Sequence, residues 1–409
     1  MAGRLIYLDH NATTPVDPRV LAAMLPYFTD DFGNAASRQH RPGRLAAEAV
    51  EHARRRVAAA LGADPREIVW TSGATEANNL AIQGVAASAV YARRRTIVTV
   101  RTEHRAVLDP CAAMARAGYR VLYQPVDRGG RLDLERLVRE LDDDTLLVSA
   151  MWANNETGVL HPIAEIGRLC KERGILFHTD ATQAFGREPI DVERAGIDLL
   201  SLSGHKIHGP KGVGALYVRR KGPRVRCEPL LHGGGHERGL RSGTLNVPGI
   251  VGLGQASEIA VAHLHDERRR LAALRHRLEH ELLAALAGAS VNGVRDHRLA
   301  NTLNLSIPGV EAEALMARMP DLAVSSSAAC SSATRLPSYV LRAMGVGDAQ
   351  IRGSLRFSLG RTTSAEEIER AIAILLDACA GTVETVAPRS SRRAAPTADG
   401  RSTPPSAAE

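Results

Sequence analysis

The sequence predicts an α/β fold: a large domain with a mostly parallel sheet covered by helices, followed by a smaller α+β domain. Three observations predict it. The runs Ile68–Ser72, Thr96–Val100, Leu146–Ala150, Ile175–Asp180, Asp198–Leu202 and Val213–Val218 are short and largely apolar, as strands buried on both faces must be. Helical stretches alternate with them, including 43–61, 163–173 and the one opened by Gly73. Two of the runs deliver chemically capable side chains, Asp180 and Lys206, to strand ends, where an open α/β sheet holds its ligand.

Lys206 stands in the turn Ser203–Gly212, just past an apolar strand. An amine that must form a Schiff base has to be fixed, partly desolvated and near neutral in pKa, and the carboxyl end of a buried strand meets those needs. Alone, Ser203-Gly204-His205-Lys206 reads equally well as a strand followed by a Gly-Pro turn with a solvated lysine. Asp180 shifts the balance. The interval from Asp180 to Lys206 holds a crossover and a second short strand, so both side chains can project from the carboxyl ends of neighbouring parallel strands. A carboxylate and an imine-forming lysine facing one crevice point to pyridoxal 5'-phosphate, with Asp180 pairing to the pyridinium nitrogen.

Composition excludes several function classes. At 409 residues, 44% of them hydrophobic, the chain is long enough for two domains with full cores. No apolar run approaches the roughly 20 residues that span a bilayer, and the start of the chain lacks a long apolar stretch. The expectation is a cytoplasmic protein without membrane contact. A net charge of +7 invites a nucleic-acid reading, but the arginines are scattered over helices and aromatics make up only 3% of residues, which argues against stable nucleic-acid binding. Cys111, Cys170, Cys227, Cys330 and Cys379 form no CxxC pair, so reduced thiols are expected rather than a disulfide framework or zinc site.

In chain order, His10–Pro15 is a polar turn, with Pro15 starting a helix through Arg19 to Phe28. Phe32–Ser37 is a small-residue loop, and an amphipathic helix follows from about Gly43 to Leu61. After the strand Ile68–Ser72, Gly73 opens a helix to about Tyr91. Free amides there, around Ala74 and Thr75, make a phosphate site; a plain capping turn with Ser72 or Thr75 as cap is the simpler alternative. The strand Thr96–Val100 leads to His104, a candidate to stack on a planar cofactor ring and act as acid or base. Leu146–Ala150 leads to Asn154 and Asn155, where an asparagine can hydrogen-bond the cofactor's phenolic oxygen. The Gly-rich run 231–239 is either a mobile surface loop or a segment whose Arg238, Arg241 and Thr244 reach a phosphate from a neighbouring subunit, and both readings stay open.

A charged helix from about Leu264 to Leu286 bridges into the smaller domain. Strands are expected there at 303–307, 322–326 and 354–359, with helices at 311–319, 338–344 and 364–379; Ser364 and Glu367 fit a capping box. The expected organisation is an N-terminal segment (1–14) associated with the small domain, a large cofactor-binding domain (15–262), a small domain (263–386) and a disordered tail (387–409). Cys330 lies in the small-residue loop Ser325–Arg335. Free cysteines are usually buried structural thiols. A cysteine among serines and alanines has no apolar packing to explain it, which favours a reactive, movable nucleophile.

Together, NATTPVDPRV (11–20), FGNAASRQHR (32–41), EIVWTSGATEANNLAI (67–82), TEHRAVLDPC (102–111), NNETG (154–158), HTDATQ (178–183), SGHKIHGPKG (203–212), HGGGHERGLRSGT (232–244), SSSAAC (325–330) and RFSLGR (356–361) make the chain resemble the cysteine desulfurases. These are pyridoxal-phosphate enzymes of fold type I in the class V aminotransferase family, which supply sulfur for iron–sulfur clusters. The likeness runs from Tyr7 to about Ala380.

The resemblance implies that Lys206 is the Schiff-base lysine, Asp180 the pyridine-nitrogen partner and His104 the ring-stacking histidine. Ala74, Thr75, Ser203, His205 and, from the other subunit of a homodimer, Thr244 match phosphate-binding positions. Asn155 and Gln183 match contacts to substrate and ring oxygen, Arg356 the clamp on the substrate carboxylate, and Cys330 the persulfide-forming thiol. No intrinsic metal is implied, although Cys330 can meet a cluster or metal on a partner. Implied partners are L-cysteine and an iron–sulfur scaffold or sulfur-carrier protein. Two features depart from the pattern: Ser327 replaces a glycine in the cysteine loop, and the tail after Ala387 does not match the housekeeping enzymes.

In the implied chemistry, substrate cysteine displaces Lys206, the freed amine moves the Cα proton, and the Cys330 thiolate takes the substrate sulfur as alanine leaves. The rivals are an aminotransferase, a selenocysteine lyase, or a non-catalytic scaffold or tRNA-binding partner. An aminotransferase has no use for Cys330, and a non-catalytic partner has none for Lys206 with Asp180. Removing the residues after Ala387 is predicted to leave the melting temperature and cysteine turnover unchanged, because the tail has too little apolar content to join a core; a large drop in melting temperature on truncation contradicts this.

Overall fold

The computed structural model describes residues 5–326 and 337–381, so Cys330 and the tail beyond Ala387 lie outside the described residues. The chain starts with β1 (Ile6–Tyr7), α1 (Pro18–Met24), α2 (Pro26–Thr29) and α3 (Arg41–Leu61). Next come β2 (Ile68–Thr71), α4 (Ala74–Ala87), β3 (Thr96–Val100), α5 (Arg105–Arg116), β4 (Arg120–Gln124) and α6 (Leu134–Glu140). The run continues with β5 (Thr145–Ser149), α7 (Ile163–Glu172), β6 (Leu176–Asp180), β7 (Leu199–Ser203), β8 (Gly214–Val218) and α8 (Val247–Ala285). The last part holds β9 (Ser290–Val291), β10 (Thr302–Ser306), α9 (Ala312–Ala317), β11 (Leu322–Ala323), β12 (Ser325–Ser326), α10 (Tyr339–Ala343), α11 (Asp348–Arg352), β13 (Ser354–Ser358) and α12 (Ala365–Cys379).

Seven strands form the main sheet in the order β2-β8-β7-β6-β5-β3-β4. Only β8 runs antiparallel to its neighbours, so the sheet is mostly parallel and the fold is α/β, as the continuous apolar strands require. Strands β2, β3 and β5 to β8 are buried along their whole length. One core, with Trp70, Val98, Val148, Phe177 and Leu200, lies on the side of the sheet where α3 and α8 pack; a second, with Leu80, Ile82, Val107 and Leu216, lies under α4 and α5.

A separate four-stranded antiparallel sheet, β12-β13-β10-β9, carries its own core of Leu303, Leu305, Leu355, Phe357, Ile368 and Leu375. Helix α8 joins the two bodies. Its first half contributes Ile250, Leu253 and Ala256 to the large core, and its second half contributes Leu271, Leu278 and Leu282 to the small one. The N-terminal strand β1 pairs in parallel with β11, and Ile6 and Leu8 pack in the small core.

Several local expectations differ from what is seen. The first helix starts at Pro18 behind an Asp17 cap that accepts from the Arg19 N–H, not at Pro15, and it breaks at Leu25, before Pro26. Helix α8 starts 17 residues before the predicted Leu264, because Val247 to Ala260 is almost uniformly apolar and buried and so lacks the amphipathic period that sequence reading relies on. The β6–β7 crossover contains turns in place of a helix. Strand β4 was not anticipated; it lies at the sheet edge and carries exposed Arg120 and half-buried Val121 to Tyr123. The Ser364–Glu367 capping box is present.

Phe177 is fully buried at the centre of the sheet. Phe177→Ala is predicted to cost about 3–5 kcal/mol through lost burial and the cavity left behind, read as a lower urea midpoint; a loss under about 1 kcal/mol contradicts the packing described.

Candidate active site

Parallel strands β3, β5, β6 and β7 all finish at one edge of the sheet, and a cavity of ≈ 600 Å³ opens there. Ala74, Thr75, His104, Asn155, Asp180, Gln183, Ser203, His205, Lys206 and Arg356 line it. Thr244 does not. It is exposed, in irregular chain outside this cavity. Two other candidates for reaching a neighbouring subunit are held within their own chain: Arg238 Nη2 donates to Ile68 O at 2.5 Å, and Arg241 pairs with Glu76 at 2.9 Å.

Strand register sets the central pair. Asp180 is the last residue of β6 and faces Ser201 of β7, and a single 3₁₀ turn, Gly204–Lys206, carries the chain from β7 to the lysine. The Asp180 carboxylate is fixed on both oxygens: Asn78 Nδ2 on α4 donates to Oδ2 at 2.7 Å, and the Thr182 N–H donates to Oδ1 at 2.9 Å. Lys206 Nζ donates to the carbonyls of Asn11 and Ala12 at 2.6 and 2.7 Å. Burial first, then the positive charges of Arg187 and Arg356, bring its pKa down from 10.5 to about 7, against the opposing pull of Asp9 and Asp180.

His104 caps α5, its Nδ1 accepting from the Ala106 N–H at 3.1 Å. An accepting Nδ1 puts the proton of the neutral ring on Nε2, and burial keeps the ring neutral by lowering its pKa. Burial and the neighbouring lysines likewise lower the pKa of His205 to about 4. Arg356 on β13 is almost fully buried; its Nη1 donates to Asn155 O at 3.0 Å and its Nη2 to Asp9 Oδ1 at 2.7 Å and Ser325 Oγ at 2.9 Å.

The anion-binding end follows from backbone geometry. Gly73 precedes α4 at φ 155°, a conformation side-chain-bearing residues avoid, and no side chain caps the helix; Ser72 and Thr75 are therefore not its caps. Gly214 of β8 passes so close that a Cβ on it would lie 2.7 Å from the Gly73 Cα. The uncapped first turn of a 14-residue helix thus faces the cavity with its amides available.

The wall also fits a polar group of complementary shape. Asn78 Oδ1, Asn155 Oδ1 and Thr182 Oγ1 all line the cavity and are buried without a hydrogen-bond partner among the described residues. Such atoms are costly unless something satisfies them. A phosphorylated pyridine aldehyde presents an anion for the helix, a ring nitrogen for Asp180, a ring oxygen for the amides and a carbonyl for Lys206, so the residues present fit it.

The aminotransferase class-V family matches residues 6–371. A cysteine desulfurase IscS of Anaeromyxobacter sp. (strain Fw109-5) is 55% identical over 372 residues, covering 91% of this chain and 92% of the relative. The chain belongs to the cysteine desulfurases of the class-V aminotransferase family. The enzyme shares 40% identity and a TM-score of 0.85 with the structure of a NifS-like protein, over 91% of this chain and 98% of the other. The structure of SspA in complex with cysteine matches at 37% identity and a TM-score of 0.74, over 86% and 98% of the two chains. The family is one of pyridoxal-phosphate enzymes on the fold type I scaffold.

Sequence reading missed Asn11 to Thr13, which it treated as a polar turn, and Asn78, Arg187 and Asp9. The accessible signal was Asn78: it follows Ala74 by one helical turn and so points into the crevice with it.

A buried lysine with a depressed pKa has a definite effect on stability. Between about pH 7 and 10.5 the unfolded chain binds the proton that the folded chain does not, so stability from this group rises with pH through that window. With no cofactor added, the wild-type urea midpoint should therefore gain on that of Lys206→Met between pH 7 and 9.5; a difference that is flat or shrinks with pH contradicts the burial assigned to the amine.

Proposed function

We propose that the enzyme is a cytoplasmic, homodimeric cysteine desulfurase that converts L-cysteine to L-alanine, delivering the sulfur through a persulfide on Cys330 to an iron–sulfur scaffold or sulfur carrier. The observation that carries this reading is the shared cavity, in which a lysine of pKa about 7, a doubly anchored aspartate and a buried arginine converge. Kinship with desulfurases, and with a structure that holds cysteine, supports the choice of substrate.

Pyridoxal 5'-phosphate, when bound, supplies the electron sink that makes the Cα proton and then the Cβ–S bond labile. Asp180, with both oxygens fixed, would hold the proton on the ring nitrogen. The α4 amides at Ala74 and Thr75, with Ser203, His205 and Thr244 of the second subunit, would take the phosphate. His104 would cover the ring face, and Asn155 and Gln183 would meet its oxygen. Lys206, near neutrality, would take the Cα proton on Nζ and return it. Arg356 would bind the substrate carboxylate, because a guanidinium donates to two oxygens in a fixed plane.

In the sulfur step, a bond forms between Cys330 Sγ and the substrate sulfur while the substrate Cβ–S bond breaks. The electron pair stays with the carbon fragment, which takes protons and leaves as alanine, and the enzyme keeps Cys–S–SH. The four other thiols are poorly placed for this: burial raises the pKa of all four, of Cys111 and Cys227 to about 12.

The test is incubation of the cofactor-loaded enzyme with cysteine, followed by mass spectrometry. One added sulfur should appear on the peptide carrying Cys330, and alanine should accumulate; Cys330→Ala should still perturb the cofactor spectrum on adding cysteine while producing no alanine. Extra sulfur on Cys111, Cys170, Cys227 or Cys379, or normal turnover by Cys330→Ala, overturns the proposal.

A further inference from the structure

Arg187 lies in the turns after β6, half-buried, with its guanidinium bonded to residues of the candidate site. Nη1 donates to Asn11 Oδ1 at 3.1 Å, to Gln183 O at 3.3 Å and to Gln183 Oε1 at 2.5 Å; Nη2 donates to His10 O at 3.3 Å and to Lys206 O at 3.2 Å. All five acceptors are neutral amide oxygens. Glu267, the acidic group that acts on it through space, is itself bound to Arg361. Burial accordingly lowers the Arg187 pKa to about 10. A half-buried cation bound only by neutral oxygens is expensive, and its charge and its fork each act on a neighbour.

The charge acts on Lys206. Four charged groups face that amine from three directions: Asp180 and Arg187 from the end of β6, Asp9 from the segment after β1, and Arg356 from β13. His104 and His205 stand beside it as neutral rings, and Lys211 lines the same cavity. Arg356 is neutralised by Asp9 at 2.7 Å, whereas Arg187 has no such partner among the described residues, and after burial it is the largest influence on the amine. The fork acts on Gln183. Its Oε1 accepts from Arg187 while its Nε2 donates to Asn11 O at 3.0 Å, so only one orientation of that amide satisfies both neighbours.

We propose that Arg187 is a positioning residue for the desulfurase reaction: its fork, bonded to the Gln183 amide and to the Lys206 carbonyl, fixes the polarity of that amide and sets a cation held only by neutral oxygens against the lysine that must act as base. The assignment rests on the reaction proposed above, in which that amine must be available as a base. A neutral lysine takes the Cα proton, whereas an ammonium cannot, so the variant's turnover should fail on the acid side first.

The experiment compares wild type, Arg187→Met and Arg187→Lys as full-length protein. Acylation of Lys206 before cofactor loading, read by peptide mass spectrometry across pH, gives the midpoint of the amine; alanine formation by the loaded enzyme gives kcat and KM. The amine midpoint should rise by about one pH unit or more in Arg187→Met and stay within about half a unit of wild type in Arg187→Lys, because only the charge matters to it. The acid limb of kcat should move with the midpoint while KM for cysteine changes less than about threefold, since Arg356 is untouched. If Arg187→Met does not fold, Arg187→Gln takes its place as the neutral variant. A midpoint that stays put in the neutral variant, or moves as far in Arg187→Lys, overturns the inference. Wild type that binds no pyridoxal phosphate and makes no alanine instead overturns the reaction on which it rests.

Discussion

The parallel ladder between β6 and β7 is the constraint on which the site depends. Its register sets His178 against Leu199 and Asp180 against Ser201, so the carboxylate sits at the strand terminus and the chain emerging from β7 needs only one 3₁₀ turn to place Lys206 beside it. A slip of one residue would turn every side chain of β6 to the other face, sending Asp180 away from Asn78. Burial prevents the slip. Phe177 and Leu200 fill the core on one side, and on the other His178 is held between Ser149 of β5 at 2.8 Å and Ser201 of β7 at 3.0 Å. A buried imidazole bonded at both nitrogens has one low-cost alignment, so the polar row beneath the site locks three strands in step.

Much of this arrangement is legible in the sequence. Strands with no alternating polar face, such as Ile97 to Val100 and Leu146 to Val148, announce a parallel sheet because both faces must be dry. A parallel sheet in turn makes strand ends the place to look for chemistry. That logic reaches Asp180, Lys206 and His104 directly. It does not reach Asn11, Arg187 or Asp9, whose importance comes from approach in three dimensions. Asn11 lies far from Gln183 and Lys206 along the chain yet accepts hydrogen bonds from both through its carbonyl, a group every residue has. Helix α8 shows the same limit. Its first two turns, Val247 to Leu253, are almost wholly apolar and packed against α1 and α3, so they have no polar face to betray the period.

The charges are arranged by unequal compensation. Arg54 is also deeply buried, but Glu237 meets it with paired contacts of 2.8 Å, and the same carboxylate accepts from the Trp70 N–H. That pair is structural: it ties the Gly-rich segment to α3 and β2, and its charges cancel locally. Around Lys206 the cancellation is incomplete, since Asp9 answers Arg356 while Arg187 finds only amide oxygens. A low dielectric lets such a residual field act over several ångströms where water would screen it. Beside the candidate cavity, then, a cation held by neutral oxygens is placed next to a lysine whose protonation decides what it can do.

The N-terminal segment explains why the cavity lies where the two cores meet. Strand β1 pairs with β11 and places Ile6 and Leu8 in the small core, and the chain then turns back so that Asn11 to Thr13 line the cavity of the large one. Asp9 stands at the turning point, accepting from Arg356 on β13 and from Ser325 on β12. Ser325 lies two residues before the undescribed stretch that contains Cys330. One carboxylate therefore joins the arginine assigned to the substrate carboxylate, the start of the cysteine segment and the backbone carbonyls that receive the lysine amine. Ser325 Oγ donates to Asp9 Oδ1 and accepts from Arg356 Nη2, both at 2.9 Å, so Asp9, Arg356 and Ser325 form a closed triangle and none can shift without the other two. Arg356, assigned to the substrate carboxylate, and Ser325, which precedes the segment that carries Cys330, are thus tied to the same short N-terminal segment, although neither belongs to it.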